Sequence, residues 1–408
     1  MPVSPLAPER FPELPRVAGV RLGTARAGIR YRDRTDVMLA VLEPGSAVAG
    51  VFTRSLTPGA PVDWCRRCLP GGSARAIVVN SGNANVFTGR AGRAAVEETA
   101  AAAARLVGCE PGEVYVSSTG VIGETLPAAR LIEGLPGALA GAREERWRDA
   151  AEAIMTTDTF PKGATARAVI GGTGIVLNGI AKGSGMIAPD MATMLAYLFT
   201  DAAIPAPVLQ ALLKAANERS FNSITVDGDT STSDTVLLVA TGRAANPAPA
   251  AASDPLLKEF RRALDAVMIA LAQQIVRDGE GAEKFITIEV KGAASARAAR
   301  RIGLAIGNSP LVKTAIAAGD ANWGRIVMAV GKAGEKADRD RLSIAVGGVT
   351  IAAHGGPVPG YDEAPVARHM AGRDIAIAVD LGIGSGRATV WSCDLTHRYI
   401  DINGSYRS

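Results

Sequence analysis

The chain has 408 residues, of which 48% are hydrophobic, and a formal net charge of +4. A chain of this length can bury one large or two ordinary hydrophobic cores. The small net charge, without a basic cluster, argues against nucleic acid or a polybasic membrane anchor as a partner.

The amino terminus argues against a secretory leader. Five prolines and two glutamates occur within the first 15 residues, which is incompatible with the apolar core of a signal peptide. Apolar runs elsewhere are also too short to cross a membrane. We therefore expect a cytoplasmic protein without membrane contact.

The cysteines and histidines do not indicate a metal site. Cys65 and Cys68 have metal-ligand spacing, but no second pair and no nearby histidine would complete a tetrahedral site. The three histidines are scattered late in the chain, so a histidine-dependent triad is unsupported. We expect no metal, and acyl-transfer chemistry would need a base other than histidine.

The first third of the chain places two polar segments after short apolar strands. Apolar runs between glycine and proline turns predict strands and hairpins from 17 to 53. The strand at 76–79 leads into the sequence NSGNAN at 80–85, and the strand at 113–116 leads into SSTG at 117–120. We expect loops there. Both segments are typical of ordinary turns as well as of sites.

A glycine-rich loop in the middle of the chain precedes a buried strand. Two glycines and a proline exclude regular structure from 182 to 189, and the apolar run at 194–199 predicts a core strand. Thr193 lies at the junction, where a hydroxyl suits an N-terminal nucleophile. If the Ala192–Thr193 bond is broken, the new α-amine, with a pKa near ~8, can act as the general base. A glycine-rich loop without catalytic function fits the same local sequence.

The second half alternates strands and helices. A polar segment at 227–234 lacks the Gly and Glu of a calcium loop and predicts a turn before the strand at 236–239. A long helix ends at Gly279, and Glu280 follows where the helix dipole disfavours an anion, which points modestly to function. Later strands are expected at 285–290, 325–330, 375–379 and 388–402, with two strands within 342–352, and helices are expected at 310–318 and 363–370. The sequence GIGSG at 382–386 predicts a hairpin turn rather than a dinucleotide site.

Six segments together resemble one enzyme family. The string MIAPDMATML at 186–195, preceded by AKGSG, resembles the self-cleavage signature of the ornithine acetyltransferase (glutamate N-acetyltransferase) family of arginine biosynthesis. Family blocks are also matched, in family order, by NSGNAN at 80–85, SSTGVIG at 117–123, MTTDT at 155–159, DGDTST at 227–232 and NGSYRS at 403–408. The resemblance therefore spans nearly the whole chain.

The pattern of strands and helices predicts an α+β or mixed α/β fold. The resemblance implies a four-layer αββα sandwich, similar to the N-terminal nucleophile hydrolases but differently connected, with a smaller α/β lobe at roughly 285–390. It also implies self-cleavage at Ala192–Thr193 into residues 1–192 and 193–408. The two chains would jointly form the catalytic domain and assemble as an α2β2 heterotetramer.

The resemblance implies acetyl transfer from N-acetylornithine to glutamate through an acetyl ester on Thr193. The Thr119 hydroxyl and the Gly120 N–H would form the oxyanion hole. The residues expected to contact substrate are Thr156, Lys182, Thr193, Glu280, Asn403 and Ser408. No cofactor is expected, although the use of acetyl-CoA as a second acetyl donor stays open. The alternatives are a same-fold aminopeptidase or amidase, which passes the acyl group to water, and a non-enzymatic binding scaffold.

Overall fold

A computed structural model describes residues 2–188 and 194–405 of the chain. Ala192, Thr193 and Ser408, three of the predicted site residues, lie outside the described residues. Among the residues that are described, no helix combines the length and the apolar composition needed to cross a membrane.

The strands, in chain order, are Val20–Ala25 (β1), Val37–Leu42 (β2), Ala47–Phe52 (β3), Ala76–Asn83 (β4), Val114–Val121 (β5), Lys162–Ile170 (β6), Thr173–Lys182 (β7), Leu195–Thr200 (β8), Thr235–Ala240 (β9), Phe285–Ala293 (β10), Ser343–Val346 (β11), Val349–Ala353 (β12), Gly356–Pro357 (β13), Asp374–Asp380 (β14) and Gly386–Cys393 (β15). The helices are Ala60–Cys68 (α1), Gly89–Val107 (α2), Ala128–Ala140 (α3), Trp147–Ala153 (α4), Ala206–Arg219 (α5), Lys258–Arg277 (α6), Ala296–Gly307 (α7), Pro310–Ala317 (α8), Trp323–Gly331 (α9), Glu363–Met370 (α10) and His397–Ser405 (α11).

The described strands form three sheets, with the orders β1-β2-β4-β5, β3-β9-β8-β7-β6 and β13-β12-β11-β14-β10-β15. In the first sheet β4 and β5 are parallel, and in the second β8 and β9 are parallel. Parallel neighbours end at the same sheet edge, so β4 and β5 bring their polar carboxyl-terminal residues together.

The first two sheets pack face to face. Leu22, Met38 and Ile77 of one sheet share a core with Tyr197 and Leu237 of the other. The outer face of the first sheet is covered by α2 and α3, and the outer face of the second by α5 and α6. Each sheet is therefore buried on both faces, which explains why β2, β4, β8 and β9 carry nearly continuous buried residues. The predicted four-layer αββα sandwich is confirmed.

The six-stranded sheet has a core of its own. Ile286 and Ile377 of this sheet pack with Ile302 of α7, Ile326 of α9 and Val366 of α10. The proposed division into chains of 1–192 and 193–408 stays a prediction.

Strands extend into the two polar segments predicted as loops: β4 runs to Asn83, within the segment at 80–85, and β5 runs to Val121 and includes the whole segment at 117–120. Polar side chains of the two strands form hydrogen bonds inside the sandwich. The Ser118 hydroxyl donates to Asn80 Oδ1 at 2.6 Å, and the Asn80 amide donates to the Asn83 carbonyl at 2.9 Å. Buried polar groups with such partners do not force the chain out of the sheet.

The predicted strand at 325–330 is wrong, because these residues lie in α9. The Asn322 side chain accepts the Arg325 N–H and caps the helix. Ile326, Ala329 and Val330 are buried at helical spacing. A short apolar run is compatible with either a strand or a helix, and here the Asn322 cap favours the helix.

The strand predicted at 388–402 ends at Cys393, and its last residues lie in α11. The predicted hairpin at 382–386 is also wrong. Strand β10 lies between β14 and β15, parallel to the first and antiparallel to the second. The glycine-rich segment therefore connects two strands that do not pair with each other.

Candidate active site

A cavity of about 190 Å³ lies beside the carboxyl-terminal ends of β5 and β7. Its walls include Thr119, Gly120, Thr156, Lys182, Glu280 and Asn403. Every predicted site residue that the structure describes therefore faces one space, and its volume suits a ligand of amino-acid size rather than a larger molecule.

Lys182 is the cation of this cavity. It is the last residue of β7 and only 2% exposed. Its ammonium donates to Thr156 Oγ1 at 2.8 Å and to Thr119 Oγ1 at 3.2 Å, and lies 3.9 Å from Asp158 Oδ2. Burial lowers the pKa of Lys182, and the Asp158 carboxylate opposes this effect. Two hydroxyls and one distant carboxylate leave the ammonium able to bind a substrate anion.

Asp158 fixes the loop that follows Lys182. Its carboxylate accepts the Gly183 N–H at 2.6 Å, the Thr156 N–H at 2.9 Å and the Lys162 ammonium at 2.8 Å. Burial alone would raise the pKa of Asp158, but the Lys162 and Lys182 ammonium groups and the hydrogen bond from the Thr156 N–H together outweigh burial and hold the pKa below its usual range. Asp158 is therefore an ionised anchor for both sides of the cavity.

Thr119 and Gly120 lie at the end of β5, where they pair with Ser81 and Gly82 of β4. Gly120 has a φ of 132°, and a Cβ there would lie 2.3 Å from the Gly82 carbonyl carbon. Only glycine fits this approach. Because the Thr119 oxygen already accepts from Lys182, its own proton is available for another acceptor.

Glu280 lines the cavity beside Gly185, and we call the part of the wall formed by Glu280, Asp227, Asp229 and Tyr399 the Glu280 end. Its N–H donates to the Ser184 carbonyl at 2.9 Å, which ties it to the loop after Lys182. The Asn403 amide donates to Glu280 Oε2, also at 2.9 Å. Burial raises the pKa of Glu280, against the effect of the Asn403 bond. Asn403 reaches the carboxylate from α11, not from a tail after a strand.

Two further acidic residues and a tyrosine at the Glu280 end were missed. Asp227 accepts the N–H groups of Met186 at 2.6 Å and Ile187 at 2.9 Å, and Tyr399 donates to it at 3.4 Å. Asp229 lines the same cavity. The sequence signal was present in the family block at 227–232, which predicted only a turn. Tyr399 gave no signal, since it fell in a predicted strand.

Asp234 anchors the chain where it enters β8. Its Oδ1 accepts the Met194 N–H at 2.8 Å, and Leu195 pairs with Lys182 in the sheet. The carboxyl is fully buried, and its Oδ2 has no hydrogen-bond partner among the described residues. Burial raises the pKa of Asp234 well above its usual value, opposed by the Met194 bond and Lys182. The residue following Thr193 is thus held beside the cavity.

Lys162, Asp158 and Asp278 form a fully buried ion network next to the site. The Lys162 ammonium lies 2.8 Å from Asp158 Oδ1 and 2.6 Å from Asp278 Oδ2, and none of the three side chains is exposed to solvent. Asp278 also accepts the Thr159 N–H at 2.9 Å. The network joins the end of α6 to the segment that carries Thr156.

Replacing Lys162 by methionine should lower the free energy of unfolding by about 3–5 kcal/mol, because two buried carboxylates lose their common cation. Urea unfolding measures this change. The matched control is Lys291→Met, which removes the cation of a surface pair with Asp380 at 3.5 Å and should cost about 1 kcal/mol or less. Equal losses in the two variants would contradict a structural function for the buried network.

Comparison with known proteins gives consistent matches along the chain. The model of the ArgJ family matches residues 21–408. The chain is 60% identical over 408 residues to the "arginine biosynthesis bifunctional protein ArgJ" of Gluconobacter oxydans, covering 100% of this chain and 96% of the relative. The protein of the same name from Bradyrhizobium diazoefficiens is 58% identical over 410 residues, covering 100% and 99%.

A crystal structure of "arginine biosynthesis bifunctional protein argJ" from Bacillus halodurans is 41% identical, with a TM-score of 0.49, covering 50% of this chain and 96% of that chain. The six segments that resemble family blocks predicted this relationship, and the full-length sequence matches confirm it. The chain belongs to the ArgJ family.

Proposed function

We propose that the protein is an acetyltransferase of arginine biosynthesis, which moves the acetyl group of N2-acetylornithine to glutamate through an acetyl ester on Thr193. Membership of the ArgJ family and the names of the full-length relatives support the pathway. The observation that carries the proposal is the arrangement of Thr119, Gly120, Lys182 and Glu280 around one amino-acid-sized cavity.

The proposal begins with self-cleavage. The Thr193 hydroxyl attacks the Ala192 carbonyl, the peptide bond becomes an ester, and water opens the ester to leave Thr193 with a free α-amine. That amine is then the general base for its own hydroxyl. The anchoring of Met194 by Asp234 supports the proposal, because Met194 is bonded directly to Thr193.

The acetyl group moves in two similar half-reactions. The Thr193 oxygen attacks the acetyl carbonyl of N2-acetylornithine, and the α-amine takes the hydroxyl proton and passes it to the departing nitrogen of ornithine. Glutamate nitrogen then attacks the ester, and the same groups act in reverse. In both steps the Thr119 hydroxyl and the Gly120 N–H would stabilise the charge on the carbonyl oxygen.

The charged residues of the cavity determine the orientation in which the substrate binds. Lys182 contacts Thr119, so its ammonium lies next to the proposed oxyanion hole. The α-carboxylate of the substrate is attached to the carbon that bears the reacting nitrogen, and therefore belongs beside Lys182. The side chain then extends toward Glu280 and Asp227 at the far end.

The family resemblance adds an α2β2 heterotetramer, a cytoplasmic location and a contact from Ser408 to the proposal. Acetyl-CoA as a second acetyl donor belongs to the same group of hypotheses. Light scattering on the purified protein measures the assembly, and an assay with acetyl-CoA and glutamate measures the second activity.

Incubation of the purified protein with N2-acetylornithine and glutamate tests the main activity. We expect equal amounts of ornithine and N-acetylglutamate, because each acetyl group released from the donor is captured by the acceptor. Ornithine formed with free acetate, and without N-acetylglutamate, would instead favour an amidase. Absence of both products, together with an uncleaved chain, would favour a binding scaffold.

A further inference from the structure

The proposed reaction poses an electrostatic problem at the Glu280 end of the cavity. The donor carries a side-chain ammonium there and the acceptor a side-chain carboxylate, so two successive substrates differ by two units of charge. Amines and carboxyls of these kinds titrate near ~10 and ~4, so both side chains keep their charge from pH 6 to 9. The protein must therefore compensate for the difference in charge between the two substrates.

The charges around this end favour a cation. Asp227, Asp229, Glu280 and Tyr399 are the titratable groups that line it, and Lys182 lines the same cavity, where it contacts Thr119 and Thr156. On the outer side of the Glu280 loop, Asp278 and Arg398 line a neighbouring cavity. Three ionised carboxyls would bind an ammonium well and repel the carboxylate of glutamate.

Asp227 and Glu280 flank the same short stretch of backbone. A Cβ on Gly185 would lie 2.4 Å from Glu280 Oε2, so the glutamate side chain rests directly on that glycine. The next residue, Met186, donates its N–H to Asp227 at 2.6 Å. Consecutive Cα atoms are about 3.8 Å apart, which brings the two carboxyls close enough to interact.

The carboxyl groups of Asp227 and Glu280 differ in the hydrogen bonds that they accept. Both oxygens of Asp227 accept hydrogen bonds, Oδ1 from Ile187 and Oδ2 from Met186, and this arrangement favours the ionised form. Met186 adopts a φ of 56°, a conformation uncommon for a residue other than glycine. Glu280 accepts hydrogen bonds from the side chains of Asn403 and Thr157, whereas the bonds to Asp227 come from backbone N–H groups.

We propose that Asp227 and Glu280 form a proton-switched pair, in which Asp227 stays ionised while Glu280 loses its proton to hold the ornithine ammonium and gains one to accept the glutamate carboxylate. The inference rests on the proposed function. The proton comes from solvent when glutamate binds and returns to solvent when N2-acetylornithine binds. This proton on Glu280 is separate from the protons that the Thr193 α-amine transfers during acyl transfer.

Burial raises the pKa of Glu280, and the charge of Asp227 raises it further, while Lys182 acts in the opposite direction. Burial raises the pKa of Asp227 too, but hydrogen bonds from the backbone N–H groups of Asp229, Met186 and Ile187 oppose that rise. Glutamate affinity should therefore fall as the pH rises through the titration of Glu280, and ornithine affinity should fall as the pH decreases through it.

Calorimetry on the mature, unacetylated protein tests the switch, because ornithine and glutamate bind there without reacting. Titrations in two buffers of different ionisation enthalpy give the protons taken up with each ligand. We expect glutamate to take up about one proton more than ornithine at every pH between 6 and 9. Protonation changes caused by the α-carboxylate and α-ammonium, which the ligands share, cancel in this difference.

Two variants locate the proton. Glu280→Gln should abolish the difference in proton uptake and weaken ornithine binding on the order of tenfold. Asp227→Asn should move the pH midpoint of the ornithine affinity, which reports the titration of Glu280 in the unliganded protein, down by about one pH unit. Asp63→Asn removes the same charge from the exposed surface of α1, outside the cavity, and should leave that midpoint in place.

The outcomes separate the switch from the proposed function. Acetyl transfer with equal proton uptake for both ligands in the parent protein would overturn the pair alone. A midpoint that does not move in Asp227→Asn would overturn the function assigned to Asp227. Failure of both ligands to bind, with no acetyl transfer, would overturn the proposed function and the pair with it. The parent measurement decides even if a variant fails to fold.

Discussion

Replacing Thr193 by alanine is expected to leave the chain in one piece and to abolish acetyl transfer. The methyl side chain has no oxygen to attack the Ala192 carbonyl, and without cleavage the α-amine that would serve as the base is never released. Denaturing electrophoresis should show a single band of 408 residues, whereas the parent should show fragments of 192 and 216 residues. The acetyl-transfer assay measures the second effect.

A conservative and a distant substitution control this result. Thr193→Ser keeps the hydroxyl and should still cleave. Thr314→Ala removes a hydroxyl from the exposed surface of α8 and should match the parent in both cleavage and transfer. Two fragments from Thr193→Ala would show that another group breaks the chain.

Replacing Thr119 by valine should lower kcat by about 10²–10³ while the fold is kept, because one donor to the oxyanion is lost and the shape is preserved. Valine is β-branched like threonine and suits the buried end of β5. KM should change much less than kcat, since the bond is stronger in the transition state than in the bound substrate. Steady-state kinetics with N2-acetylornithine separates the two.

Thr119→Ser is the matched control, because it retains the hydroxyl and should restore most of the parent rate. Lys182 loses one acceptor in the valine variant but keeps Thr156 at 2.8 Å, so the ammonium stays in place. A parental kcat in Thr119→Val would remove Thr119 from the oxyanion hole. Gly120 offers no comparable test, because any Cβ there collides with the Gly82 backbone.

The sequence by itself determined the family and much of the local structure. The segments at 80–85, 117–123 and 186–195 predicted the relationship that the full-length matches confirm. The alanine-rich segment at 91–107, with Val96, Ala100, Ala103 and Val107 at helical spacing, predicts the helix that is present as α2, and Gly108 closes it with a φ of 72°. Such features depend on neighbouring residues, so they can be predicted from the order of residues alone.

Tertiary structure decided where polar residues could be buried. From the sequence, 80–85 and 117–120 predicted loops, but Asn80 and Ser118 bond each other across two parallel strands. Because 38 positions separate the two residues in the sequence, local sequence patterns do not reveal this hydrogen bond. The same holds for α11, where Asn403 reaches Glu280 across more than a hundred residues.

The electrostatic design of the site also depends on tertiary structure. Lys162 and Asp278 gave no local signal, yet they form the buried ion network beneath Lys182. Asp227 and Glu280 become neighbours only because Gly185 and Met186 pass between them. Charge interactions act through space in a desolvated interior, whereas sequence patterns report what is adjacent along the chain.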